Sequence, residues 1–557
     1  MRQRGRRPAA PARRATGAAA REAAEPPSRI AVPAAIVSVA ALAAIGHLVF
    51  LVSAGGLWRD EANTVAFARM PSLAELWRNF PYDSVPLAST LLVRGWIGLG
   101  LSFDIALRVL GGLIGAAVLG ALFLSARITR ATLPLCSAVL VALNVWVIRG
   151  GDAIRPSGLG MLFAVLAFGA LAAALERPSP RRAALAVLAA VLSVQSLYAN
   201  LPLIAGMAAG ALVVAWTTRS RARALVGIAV PFAAALSLLP YRAAIQSARA
   251  WSELVQIGGD PAQALASFRE ASAPDGILWA VFLLAALLLA VQAVRRRTPR
   301  GAAAAPDFGR EFALFAGTTL VAASVLLAAF FAWSRLELQP WYFLPWMALA
   351  GACADVTFGP SVRSARLRAA ILLMAVAAAA SHLLMGWGTL RLRQSNVDLI
   401  AAQLGAEARP GDLVIVSPWY LAIPFHRYYT GAAPWQTAPR LSDTRVHRID
   451  LMKQAMERPE IIDASVAAVD STLRRGGTVW MVGGLPRVAP GVSYRRAPVA
   501  PAPGIGWSLR SYTAIWSSIV LDSVRGHAVS FDPVPVYSER AIQPREQEAL
   551  FKATGWR

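Results

Sequence analysis

From Ile30 onward, apolar stretches long enough to cross a bilayer recur along the chain, with short arginine clusters between them. Nothing else in the sequence constrains the fold as strongly. About 20 apolar residues span the hydrocarbon core as a helix, and a helix in lipid satisfies its own backbone hydrogen bonds. Eleven such runs are read, near 30–54, 105–125, 131–149, 157–175, 183–199, 201–217, 224–240, 276–294, 311–332, 341–358 and 368–388. With 56% hydrophobic residues, the chain holds more of them than a soluble core could bury. The expected fold class is a polytopic α-helical, multi-pass cell-membrane protein of eleven transmembrane helices, followed by an extracytoplasmic α/β domain.

The formal net charge is +24, carried almost wholly by arginine. Nucleic acid is excluded as a partner, because the arginines fall in the short loops between apolar runs, which is the positive-inside pattern. That pattern also decides one ambiguous segment. Residues 87–101 are apolar but short and contain Arg94. Counted as a span, they would put the clusters at Arg127/Arg130, Arg177/Arg181/Arg182, Arg219/Arg221/Arg223 and Arg295/Arg296/Arg297 outside. Read as an interfacial helix, they leave every cluster in the cytoplasm. Three regions follow: a disordered, basic cytoplasmic stretch at 1–29, a transmembrane domain at 30–390 with an external loop at 55–104, and an extracytoplasmic domain at 391–557. Cys136 and Cys353 lie inside apolar runs and offer neither a disulfide framework nor a metal site.

In the last region Leu413-Val414-Ile415-Val416, preceded by Asp412, reads as a buried strand, and Thr478-Val479-Trp480-Met481-Val482 as a second. Between them Ile461 to Leu473 reads as an amphipathic helix stopped by Gly476-Gly477. There is no GxGxxG or Walker loop, so no nucleotide site is assigned. The expectation is a domain that caps the external cavity and contributes to acceptor choice rather than to chemistry.

Two adjacent carboxylates, Asp60 and Glu61, follow the first span directly. Charge at the mouth of a span is costly unless it is used, so the pair is a functional candidate, with capping of the next helix as the plain alternative. On the expected topology the same face carries Asp152, Arg155, Arg242 and Arg335. Arg155 is the best phosphate clamp, since a guanidinium offers a bidentate fork; Arg242 and Arg335 are weaker candidates. Each arginine has the alternative of snorkelling to the interface. The histidines show no ligand spacing, so no metal ligand is assigned, and a divalent cation is left open.

Trp58-Arg59-Asp60-Glu61, then Pro86-Leu87, Leu91-Leu92, Trp96, Gly100, Ser102 and Leu107-Arg108, then Arg155-Pro156 and Pro340-Trp341-Tyr342, together resemble the GT-C glycosyltransferases. The likeness is to the protein O-mannosyltransferase-like branch (glycosyltransferase family 39-like), which includes the lipid A aminoarabinose transferases. It covers roughly 30–388 in arrangement and is strongest over 57–177. The chain departs from the family pattern at Ser84-Val85, at Ala153 with Asp152 one residue earlier, at Ser157 and at Trp341.

The resemblance implies a glycosyltransferase that moves a sugar from a polyprenyl-phosphate donor to a glycan, lipid or protein acceptor on the extracytoplasmic face, by single-displacement inversion. It implies Asp60 as general base; Glu61 is read as orienting Asp60 or a neighbouring helix end, and Asp152 as assisting or binding a cation, with a solvated pairing to Arg149 or Arg155 as its plain alternative. Trp58, Tyr82, Asp83 and Tyr342 are the candidate substrate contacts. Against this stand a transporter or flippase, which would place polar groups at mid-membrane rather than at span ends, and a non-catalytic envelope assembly protein.

Overall fold

The computed structural model describes residues 31–83, 85–131, 136–255, 261–273, 276–295, 308–334, 338–358, 365–484 and 494–557. The basic stretch 1–29 and Arg335 lie outside the described residues. The helices that build the first part are α1 (Ala31–Ser53), α2 (Arg59–Ala68), α3 (Leu73–Asn79), α4 (Ala88–Gly98), α5 (Asp104–Ile128), α6 (Val145–Asp152), α7 (Pro156–Glu176), α8 (Pro180–Ser196), α9 (Leu201–Thr217), α10 (Arg221–Leu236), α11 (Arg242–Val255), α12 (Pro261–Ser272), α13 (Gly276–Arg295), α14 (Phe308–Ser334), α15 (Leu344–Phe358) and α16 (Ala365–Leu390).

The protein is a multi-pass helical membrane protein, but it has fewer full-length spans than the eleven expected. Among the described residues seven helices are long and apolar enough to cross a membrane, or eight if the pair α12 and α13, bent by 95°, counts as one broken span. Three expected spans fall short for local reasons. The 131–149 run is divided: a π-helical segment at Ser137–Val141 ends before Asn144, whose side chain then accepts from Val147 N at 3.0 Å to start α6. The 183–199 run gives a 17-residue α8 that ends before the 3₁₀ turn Tyr198–Asn200. The 341–358 run loses its first turn to a 3₁₀ segment, Pro340–Phe343. The ambiguous segment forms the 11-residue α4, about 16 Å long and too short to span.

The bundle packs through small residues. At Gly206 of α9 a Cβ would lie 2.5 Å from the Ala323 backbone nitrogen of α14, so only glycine permits that approach. Phe168 and Phe315 stack at 5.0 Å, Phe315 lying against Gly210 of α9. Asp355, buried in α15, accepts from Cys136 N at 2.7 Å and from the amide and hydroxyl of Ser137. An intramembrane carboxylate invites a functional reading, and this one satisfies orphan amides where the π-helical segment begins.

Five strands follow: β1 (Leu413–Val416), β2 (Trp435–Thr437), β3 (Val479–Val482), β4 (Ser530–Val534) and β5 (Leu550–Thr554), ordered β2-β1-β3-β5-β4. β1 runs parallel to β2 and β3, while β5 runs antiparallel to β3 and β4. Both central strands are buried at every position because helices cover both faces. Val414, Val416 and Trp480 pack with Val397, Leu404 and Phe425 on one side. Leu413, Ile415 and Met481 pack with Val469, Leu473, Trp516 and Val520 on the other. The two strands read from sequence are β1 and β3, and the mixed sheet is the α/β arrangement expected.

The sheet's carboxyl edge faces the bundle. Tyr428, just beyond β1, donates to Asp104 Oδ2 at 2.7 Å and accepts from Leu57 N at 2.7 Å. Arg427 pairs with Asp104 Oδ1 at 2.5 Å, and Gln394 N donates to Ala54 O at 2.8 Å. At Gly483, with φ +118°, a Cβ would overlap Ser417 O, so the chain leaving β3 can pass that close to β1 only as glycine.

The sidedness drawn from the arginine clusters is a hypothesis with a direct check. A cysteine placed at exposed Ser442 is expected to react with an impermeant maleimide added outside intact cells, and one at Ser179 to be protected. The reverse pattern would overturn it.

Candidate active site

Trp58 is extended and α2 begins at Arg59. Glu61, in its first turn, reaches back to accept from Trp58 N at 3.3 Å. Its other oxygen takes Arg108 of α5 at 2.5 Å and Ile154 N at 2.9 Å, in the turn between α6 and α7. Glu61 is fully buried and Arg108 nearly so. Arg108 also donates to Gly56 O at 3.0 Å. Glu61 thus ties α2 to α5 and to the turn before α7.

That tie sets the neighbouring side chain. Asp60 Oδ1 meets Arg59 Nε at 3.2 Å, and Oδ2 meets Arg155 at 3.5 Å. A second Arg155 nitrogen donates to Asp60 O at 3.3 Å. Burial alone would raise the Asp60 pKa, but Arg155 and then Arg59 outweigh it and hold the carboxyl below its ordinary range. Arg155 is the N-cap of α7, with Pro156 setting the first helical position.

Both arginines open onto a cavity of about 1610 Å³. Its polar wall carries Arg59, Arg149, Arg155, Arg510 and Arg545 against Glu270 and Glu546. Its apolar wall includes Phe330, Phe331, Trp333 and Leu338. Trp58 and Tyr342 line it too, and Trp58 meets Trp341 edge-to-face at 5.8 Å. Among the described lining residues five arginines stand with two glutamates, and Asp60 lies against two of those arginines.

The remaining sequence candidates lie elsewhere. Asp152 is buried against His47 of α1, whose Nδ1 stands 2.8 Å from both carboxylate oxygens, and it does not line the cavity. Tyr82 lies under Arg448 at 4.6 Å, and Asp83 is buried beside it, neither among the cavity residues. Arg242 is exposed at the start of α11 and is not among the cavity residues either.

Sequence reading missed what the last region supplies. Tyr420, Arg510, Arg545 and Glu546 form part of the wall, so this region reaches the polar end of the cavity. Tyr420 stacks on the Arg59 guanidinium at 4.9 Å, and Glu546 Oε1 lies 3.8 Å from the same group. Burial pushes Glu546 up to about 7, with Arg59 opposing and Asp60 and Glu548 adding. His447 N donates to Asn63 Oδ1 at 3.3 Å, which brings its ring into the field of Asp60. Burial pushes that imidazole down to about 4, so it is neutral at pH 7. Among the described residues no three His, Cys, Asp or Glu side chains group as metal ligands.

The fold is similar to that of ArnT from Cupriavidus metallidurans. That crystal structure, with undecaprenyl phosphate bound, aligns over 92% of this chain and 97% of its own, at 14% sequence identity and a TM-score of 0.47. No protein-family model matches the sequence, and no curated protein matches it.

The Glu61–Arg108 pair generates a stability test. Glu61→Ala strands a buried guanidinium, which typically costs about 3–5 kcal/mol. Chemical unfolding of the purified protein should show a loss of that order. Glu61→Gln, which keeps its hydrogen bond to Ile154 N, should lose less, and Glu61→Leu with Arg108→Met should recover much of the loss.

Proposed function

We propose that the chain is a membrane glycosyltransferase that moves a sugar from a polyprenyl-phosphate donor to an acceptor hydroxyl on the extracytoplasmic face. The observation that carries this reading is a cavity whose lining combines a group of arginines with aromatic and aliphatic side chains. Such a cavity matches an amphiphile with a phosphate head and an apolar tail.

The chemistry follows from the arrangement. The acceptor oxygen attacks the anomeric carbon, and the bond to the phosphate oxygen breaks with its electron pair staying on the phosphate. Charge grows on that leaving group, where fixed guanidinium donors stabilise it most. Arg155 is the proposed clamp, assisted by Arg59. Its contacts with Asp60, at 3.3 and 3.5 Å, are long enough to give way to a phosphate. Asp60 is the proposed first acceptor of the hydroxyl proton; it does not itself line the cavity, but its side chain keeps 18% exposure beside the lining residues Arg59 and Arg155. Its two arginines keep it ionised and ready, and Glu61 holds its helix in place. Direct displacement with no covalent intermediate gives inversion.

Mass spectrometry of envelope glycolipids, glycans and glycoproteins, with and without the protein, should identify the product. Unchanged profiles in all three pools would overturn the reading. In a reconstituted assay Asp60→Asn should slow turnover by about 10²–10⁴-fold with donor binding largely kept, since general-base catalysis contributes that much. Arg155→Ala should weaken donor affinity as well as turnover, because the phosphate is charged before and during the reaction. Arg155→Lys should recover only part, a point charge being a poor substitute for the fork.

A further inference from the structure

The motif residue Asp60 is not among the residues that line the cavity, whereas Glu546 is. Glu546 lies 486 positions later in the sequence, yet it shares a guanidinium with Asp60. Arg59 presents Nε to Asp60 at 3.2 Å and a terminal nitrogen to Glu546 at 3.8 Å. We propose that Glu546 is the second carboxylate of the site, the group that receives the acceptor's proton from Asp60 and passes it to solvent. This rests on the transferase reading above and assigns one of its proton steps.

The segment bearing Glu546 is held firmly. Arg393 N donates to Ala541 O at 2.8 Å, and Gln543 N donates to Arg393 O at 2.8 Å. A 3₁₀ turn at Pro544–Glu546 follows, and Asn396 then bonds both the amide and the carbonyl of Glu548, at 2.8 and 2.7 Å. Glu546 itself is buried to 8% exposure.

The environments of the two carboxylates diverge, which is the usual mark of an acid–base division of labour. Asp60 is held down by Arg155 and Arg59. Glu546 is pushed up to about 7 by burial, with Arg59 lowering it and Asp60 and Glu548 raising it. The phenol of Tyr420 also faces this cluster. A proton taken by Asp60 therefore moves downhill to Glu546. In the balanced step, the acceptor O–H loses its proton to the Asp60 carboxylate as the C–O bond forms and the phosphate departs. The proton then transfers to the Glu546 carboxylate, restoring Asp60, and leaves to water. Only ionised Glu546 can receive it, so turnover rises with pH through about 7 and then levels.

A structural role competes with this, since Glu546 also accepts from the Arg59 amide at the start of α2. Glu546→Gln keeps that hydrogen bond and separates the two roles. In nanodiscs, infrared titration of the full chain should show carboxylic C=O absorption that disappears around pH 7. Glu546→Gln should remove one component, Glu548→Gln another, and Asp60→Asn should move the Glu546 component to lower pH by removing a like charge. In the transfer assay Glu546→Gln should lower turnover by about tenfold or more, a proton-transfer effect, with donor KM little changed and the rise through pH 7 abolished. An unchanged infrared band, or a Glu546→Gln enzyme that keeps the wild-type pH limb, overturns the proposal. The infrared arm needs no substrate, so its failure counts against Glu546 alone, whereas wild-type protein that transfers no sugar removes the parent reading and this step with it.

Discussion

A guanidinium sealed inside a membrane protein must meet a carboxylate, and the pairing of Arg108 with Glu61 is the contact on which the site depends. Desolvating both groups is expensive, and good geometry with further hydrogen bonds is what offsets it. Glu61 has both: a 2.5 Å contact to Arg108, and amides from Trp58 and Ile154. The three partners lie on α5, at the start of α2 and in the turn before α7. One side chain therefore sets the relation between the helix that carries Asp60 and the helix that Arg155 caps. The acidic pair divides its work: Glu61 faces inward to hold structure, and Asp60 faces the arginines that open onto the cavity.

The cavity lining carries more arginines than carboxylates, and the carboxylates Asp60, Glu270 and Glu546 are shared among Arg59, Arg155 and Arg545. Five arginines face two glutamates across its polar end. Left to itself that arrangement repels, and burial raises the cost of each unpaired charge. Stacking relieves part of it: Arg59 lies on Tyr420 at 4.9 Å and Arg149 on Trp146 at 5.5 Å. An incoming anion would relieve much of the rest.

The helical character and the two central strands were readable because each rests on a local pattern: long apolar runs in one case, short buried runs beside Gly and Pro in the other. Span number was less legible. Hydropathy sees composition, whereas the interruptions at Asn144 and Pro340 are hydrogen-bonding and backbone events inside runs that remain apolar throughout. Within the site, Asp60, Glu61, Arg155, Trp58 and Tyr342 sit in or beside short motifs near span ends. Asp152 lies against His47, 105 residues away in the sequence, a pairing that no local pattern announces. Glu546, Arg510 and His447 carry no motif at all. They reach the site through the sheet, and the sheet's docking rests on contacts such as Tyr428 with Asp104 that no local pattern announces.

Arg59 is synthesised 487 residues before its partner Glu546. The helices between them can insert as they emerge, but the polar wall of the cavity stays open until β5 has been made and the sheet has closed on β3. Over that interval the molecule is a membrane bundle without a finished site. A nascent or truncated copy would occupy lipid without the full set of charged groups that a substrate would meet. The polar lining is completed at the closing of a sheet rather than at the insertion of a helix.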